Sequence, residues 1–285
     1  MEIDGMNVLV TGASRGIGEA LARRFADEGA NLIVVARSEP ELNKLADELG
    51  GAALVADLAD TEQVDTLIPR AEAAFGGIDI LVNNAGLETT AGLTETSVEA
   101  IRSVVRVNLE TPIVLTRAVI GGMHKRGRGH LVYTSSLAGI AGFPGLATYA
   151  GTKAGLTNFA ASMRLELNQT EIGTTIIAPG PVDTRMWGAL ENEPYSDALL
   201  KRLNTLRLIP KTNPERLAKR TVAAVKSNRR HVRHPARMSA NFWLNEAPRR
   251  ITELATVGVR YRPPIHLPHP HLPDLHRRDK TTDAG

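Results

Sequence analysis

The chain has 285 residues, 42% of them hydrophobic, enough for one full core, yet no apolar run approaches the roughly 18 to 20 residues of a membrane span. The absence of cysteine excludes a disulfide framework, a thiolate nucleophile and a cysteine metal site. The net charge of +3 joins two unlike parts: from residue 201 onward 19 Lys/Arg face 6 Asp/Glu, a balance of +13, so the first 200 residues carry −10. The opening, MEIDGMNVLV, is acidic and lacks the basic start of a secretory signal, so a cytoplasmic location is the expectation.

The run at 7–11 (NVLVT) has the continuous apolar character of a buried parallel strand, and TGASRGIG at 11–18 follows it directly. An amphipathic helix then runs to Gly29. Strand, glycine turn and helix make a site where Gly12, Gly16 and Gly18 let the backbone approach a pyrophosphate and the helix N-terminus offers it free N–H groups. Ser14, Arg15 and Ile17 belong to the same loop. The second strand, 31–36, ends at Ala36-Arg37. An acidic residue there would hold a ribose 2′-hydroxyl, whereas Arg37, with Arg15 as a second contact, suits a 2′-phosphate. The expected cofactor is therefore NADP(H), with NAD(H) second.

A helix at 39–49 and a strand at 52–56 lead to Asp57 and Leu58, where Asp57 either holds an adenine amino group or caps the helix that follows. The fourth strand, 78–82, opens into NNAG at 83–86. Asn83 is expected to hydrogen-bond across to neighbouring strands, while Asn84, Ala85 and Gly86 let a nucleotide lie against the backbone. A long helix at 98–123 carries Asn108 in its interior, an unfavourable place for a side chain that competes for backbone hydrogen bonds, and a kink would explain it.

A strand at 130–135 ends beside Ser136, and a helix at 148–168 carries Tyr149 and Lys153 four residues apart, on one face. A cation beside a phenol favours the phenolate and pulls the group toward the range where it trades protons at neutral pH. Ser136 would donate to the same substrate oxygen. A strand at 174–178 ends in PGPVDT, with Pro179, Gly180, Val182 and Thr184 placed to meet a ring. Strands alternating with helices in this way predict an α/β doubly wound parallel sheet, a Rossmann fold. Ligands collect at the carboxyl ends of such strands, where all these motifs lie.

Taken together, TGASRGIG, NNAG, the Asn of VRVNLE, YTSS, YAGTK and PGPVDT resemble the short-chain dehydrogenase/reductase superfamily over roughly residues 4 to 235. The resemblance implies hydride transfer between a nicotinamide and a carbonyl or secondary alcohol. It makes Tyr149 the general acid/base, with Lys153 lowering its pKa and binding the nicotinamide ribose. Ser136 positions the carbonyl, and Asn108 holds a water linking Lys153 to solvent. By the family's spacing the serine role falls on Ser136 and not Ser135. The resemblance also implies assembly as a homodimer or homotetramer through the helices bearing Asn108 and Tyr149.

Residues 184–210 would form a lid over the substrate, and Met186 and Trp187 with Leu87, Ile140 and Phe143 would line a cavity suited to a lipophilic ketone or aldehyde. A helix at 213–226, capped by Thr212 or Asn213, and a strand at 231–233 complete a domain of residues 1–235. The extension, 236–285, includes a basic amphipathic stretch at 237–259 suited to an anionic membrane surface, to covering the active site, or to another subunit. Beyond it, 261–285 is proline-rich and without apolar periodicity, as expected of extended or disordered chain. The histidines 266, 269 and 271 lack a metal-site framework, and no metal is expected. A cofactor-binding regulatory or scaffold protein of the same fold is the alternative function. Nucleic-acid binding through the basic end ranks well below the reductase reading, with Phe242, Trp243 and Tyr261 the only aromatic candidates there.

Overall fold

In the computed structural model, residues 1–140, 145–180 and 212–234 are described. Seven parallel strands form one sheet in the order β3-β2-β1-β4-β5-β6-β7. They are β1 (Asn7–Thr11), β2 (Asn31–Ala36), β3 (Ala52–Val55), β4 (Ile80–Asn83), β5 (Gly129–Thr134), β6 (Ile172–Pro179) and β7 (His231–His234). The helices between them are α1 (Gly16–Ala26), α2 (Glu39–Leu49), α3 (Thr61–Phe75), α4 (Val98–Val105), α5 (Thr111–Arg126), α6 (Ala147–Glu166) and α7 (Pro214–Lys226). Strand directions and helical crossovers are those of a doubly wound sheet.

Both faces of the sheet are apolar, which is why the strands read as continuous hydrophobic runs. Along β1, Val8 and Val10 join a core with Leu21 and Phe25 of α1, Leu42 of α2 and Leu217 and Val222 of α7. Leu9 points the other way, into a core with Leu67 of α3, Leu115 and Val119 of α5 and Leu156 of α6. The starts of α3 and α7 follow their capping residues. Asp60 accepts N–H bonds from Glu62 and Gln63 at the start of α3, and Asn213 accepts from Arg216 at the start of α7, with Pro214 in the first turn.

The long helix expected at 98–123 is divided. Between α4 and α5 the chain makes a π-helical turn, Arg106–Glu110, in which the Thr111 N–H reaches back to the Arg106 carbonyl. Asn108 sits within this turn and is fully buried. The extra residue changes the ladder locally, and turns of this kind are frequent at functional sites.

The chain reverses direction across the sheet between β1 and β4, so the crevice at their carboxyl ends is the topological switch point. Thr11 closes its floor. Its hydroxyl donates to the Val82 carbonyl at 3.1 Å and accepts the N–H groups of Asn84 and Ala85 at 2.9 and 3.1 Å.

Candidate active site

The glycine turn after β1 is packed directly against the segment after β4. Gly12 and Gly16 have φ values of +65° and +60°, which L side chains rarely adopt. A Cβ on Gly18 would lie 2.1 Å from the Gly12 carbonyl oxygen and 2.6 Å from Asn84 Nδ2. Arg15 stands at the helix start without a side-chain cap, so α1 turns its uncapped first N–H groups toward the crevice. Ser14 is half-buried beside it, and Ile17 packs against the core. This close-packed, uncapped helix start fits the pyrophosphate of a dinucleotide.

At the ends of β2 and β3, Arg37 and Asp57 face each other at 3.8 Å, with side chains 59% and 42% exposed. Asp57 accepts the Ala59 N–H at 2.9 Å, while Asp60 is the residue that caps α3, so the capping alternative for Asp57 gives way to its neighbour. Leu58 is buried, and its carbonyl accepts from Thr111 at 2.9 Å.

The bridging expected of Asn83 belongs instead to Asn84. Asn84 donates to the Thr11 carbonyl at 3.0 Å and accepts from Thr134 at 3.3 Å. The Asn83 amide is buried with no hydrogen-bond partner among the described residues. Strand alternation turns it to the same face as Leu81, away from the glycine turn.

Ser136, Tyr149 and Lys153 come together where β5 ends against α6. The Lys153 ammonium is buried, donates to the Thr134 carbonyl at 2.9 Å and lies 5.7 Å from the centre of the Tyr149 ring. Ser136 turns its hydroxyl toward the Tyr149 phenol and accepts the Ala138 N–H at 3.2 Å. Ser135 points away, donating to the Lys153 carbonyl at 3.0 Å and pairing with Thr157 at 2.6 Å, which ties β5 to α6. Asn108 clamps the chain after β4. Its side chain accepts the Leu87 N–H at 2.8 Å and donates to the Leu87 carbonyl at 2.7 Å and to Thr152 at 3.1 Å.

Burial reverses the electrostatic expectation for Tyr149. Desolvation pushes the phenol up to about 12, against the lowering by Ser136 and with a further rise from the charge of Glu88. Lys153 is itself drawn down to about 8 by burial, so its charge is held at a cost. A Cβ on Gly86 would lie 3.4 Å from both the Lys153 ammonium and Asn108 Oδ1, so this segment passes directly over the pair.

Leu87 and Ile140 pack at the edge of the site, Leu87 against the α5 and α6 core and Ile140 against Leu137 and Ala178. Pro179 ends β6, and Gly180 follows it. Phe143, Val182, Thr184, Met186 and Trp187, the lid at 184–210 and the whole of 236–285 lie outside the described residues. Sequence reasoning passed over Thr134, whose carbonyl and hydroxyl bond Lys153 and Asn84, over Thr152, whose hydroxyl accepts from Asn108, and over Glu88, a polar loop residue with no motif to mark it.

The family profile described as short chain dehydrogenase matches residues 6–194, from the start of β1 to beyond the end of β6. The chain belongs to this family. The 3-oxoacyl-[acyl-carrier-protein] reductase FabG of Vibrio cholerae is 35% identical over 212 residues, 74% of this chain and 84% of its own length. Its Escherichia coli namesake is 36% identical over 195 residues, 68% and 80% of the two chains. The oxidoreductase UcpA of Salmonella typhimurium is 38% identical over 202 residues, 69% and 76%. A solved short-chain dehydrogenase/reductase from Burkholderia phymatum, in complex with NAD, superposes with a TM-score of 0.75 at 25% identity. It covers 94% of this chain and 100% of its own. As a short-chain dehydrogenase/reductase, the protein is an oxidoreductase that uses a nicotinamide cofactor and acts on a small molecule. No helix among the described residues is long and apolar enough to cross a membrane.

Proposed function

We propose that the protein is an NADP(H)-dependent reductase of a lipophilic ketone or aldehyde, with Tyr149 as the proton donor. The observation that carries this reading is the convergence of Ser136, Tyr149 and a buried Lys153 at the switch-point crevice. A phenol held near 12 is protonated at neutral pH, the form needed to protonate a carbonyl oxygen that is being reduced. Ser136 polarises that oxygen, Lys153 offsets the charge left on the phenolate, and Asn108 holds the loop that roofs the site. The bound nicotinamide supplies the hydride in this direction and accepts it in reverse.

Gly12, Ser14, Arg15, Gly16, Ile17 and Gly18 would hold the pyrophosphate. Asp57 and Leu58 would hold the adenine, and Asn84, Ala85, Gly86, Pro179, Gly180, Val182 and Thr184 the nicotinamide half. Arg37 would meet the 2′-phosphate, its guanidinium more than half exposed and only loosely paired with Asp57. The FabG relatives are named for a ketone on an acyl chain, which supports an apolar substrate body beside Leu87, Ile140, Phe143, Met186 and Trp187. We place the enzyme in the cytoplasm as a homodimer or homotetramer. The domain is 1–235 and the basic extension 236–285, in which 237–259 is suited to peripheral membrane contact.

The test is NADPH against NADH oxidation over carbonyls from short and polar to long-chain and polycyclic, with Tyr149→Phe and Arg37→Ala as variants. Turnover should favour NADPH, rise with substrate apolarity and fall by about 10³-fold in Tyr149→Phe. Arg37→Ala should lower the NADPH preference about tenfold or more. Turnover with NADH alone would remove the Arg37 assignment, and full activity in Tyr149→Phe would remove the proton donor.

A further inference from the structure

Among the described residues, Glu88 is the carboxyl whose charge reaches the Tyr149 phenol, and it has no part in the proton transfer proposed for that phenol. Its position is set by its neighbours. The preceding residue, Leu87, has both backbone groups taken by Asn108, and Gly86 before that lies against Lys153. The carboxyl is therefore carried on a fixed stem at the mouth of the reacting centre. Its Oε2 is withdrawn from solvent and has no hydrogen-bond partner among the described residues. Desolvation pushes the group up to about 7.

A carboxyl oxygen removed from water and left unpaired costs free energy that folding has no reason to retain, unless something bound there satisfies it. The unpaired Asn83 amide offers a contrast, since it is fully buried at the end of β4, whereas Glu88 lies in the partly exposed loop beyond it. Glu88 stands instead two residues beyond Gly86, which lies against Lys153, and close enough to Tyr149 for its charge to raise the phenol.

We infer that Glu88 is a specificity-determining residue whose carboxyl accepts a hydrogen bond from a hydroxyl carried by the substrate next to its reacting carbonyl. The preferred substrate is then a hydroxyketone with an apolar body, not a plain ketone. This rests on the carbonyl-reductase reading and narrows its substrate class. A site built to bond a hydroxyl discriminates against the analogue lacking it more strongly than an apolar pocket discriminates by size.

The test compares kcat/KM with NADPH for a ketone, the hydroxyketone of the same length and the matching 3-oxo ester, in the wild type, Glu88→Gln and Glu88→Leu. The wild type should favour the hydroxyketone over the ketone by about tenfold or more. That ratio should fall about tenfold in Glu88→Leu and less in Glu88→Gln, which keeps an acceptor oxygen in the same volume. An unchanged ratio in Glu88→Leu overturns the inference, as does a loss confined to the 3-oxo ester, which would make Glu88 a donor to a second carbonyl. Calorimetric binding of the matched diol and mono-alcohol to the cofactor-loaded protein gives the same ratio without turnover. Should no carbonyl be reduced by the wild type, the reductase reading fails. The diol preference and its loss in Glu88→Leu would then still decide the role of Glu88.

Discussion

The side-chain amide of Asn108 closes a ring with the backbone of Leu87, accepting its N–H at 2.8 Å and donating to its carbonyl at 2.7 Å. One buried side chain thereby does for the loop after β4 what a neighbouring strand would do, and the π-helical turn sets it at the right depth. The third bond, to Thr152, extends the same contact to the helix that carries Tyr149 and Lys153.

Replacing Asn108 by Asp keeps the acceptor and removes both donated bonds. The Leu87 carbonyl then loses this partner and meets a buried negative charge. The expected cost is about 3 kcal/mol of stability, read as a lower melting temperature, with kcat reduced more than cofactor affinity. Asn108→Asp with wild-type stability and turnover would show that the clamp is incidental.

Lys153 makes an opposite prediction for stability. Its folded pKa of about 8 lies below the ordinary 10.5, so the buried charge opposes folding below pH 8, and the penalty fades as pH rises from 8 to 10.5. Lys153→Met should abolish turnover yet melt above the wild type at pH 7, by up to about 3 kcal/mol less the lost bond to Thr134. The difference should narrow across that pH window. A variant that melts lower at pH 7, with no pH-dependent gap, would contradict this balance.

His130, in the core of β5 and hydrogen-bonded to Thr175 at 2.9 Å, is held neutral, its pKa drawn down from 6.5 to about 3 by burial. The unfolded chain binds a proton there that the folded chain refuses. The resulting stability is full above about pH 6.5 and is lost as pH falls toward 3. Urea unfolding of His130→Gln should show a shallower loss of stability between pH 6.5 and 4 than the wild type, and equal slopes would remove His130 as the cause.

The sheet and its switch point were legible in the chain because buried parallel strands are continuous apolar runs and the glycine turn has a fixed place between strand and helix. Asn108 was visible as an anomaly of propensity, while its partner was not, since Leu87 contributes only backbone atoms and backbone carries no sequence signal. Asn84 and Asn83 are the same residue type at adjacent positions, and strand alternation, not composition, decides which one crosses the crevice.

The sequence by itself determined the parallel α/β fold and the family, because periodicity and motif spacing are local properties. Only the tertiary structure decided the electrostatics. The spacing of Tyr149 and Lys153 sets them on one helix face, but the protonation each prefers depends on how completely β5, α6 and the loop at Gly86 exclude water. That exclusion, acting on both groups, raises the phenol and lowers the ammonium.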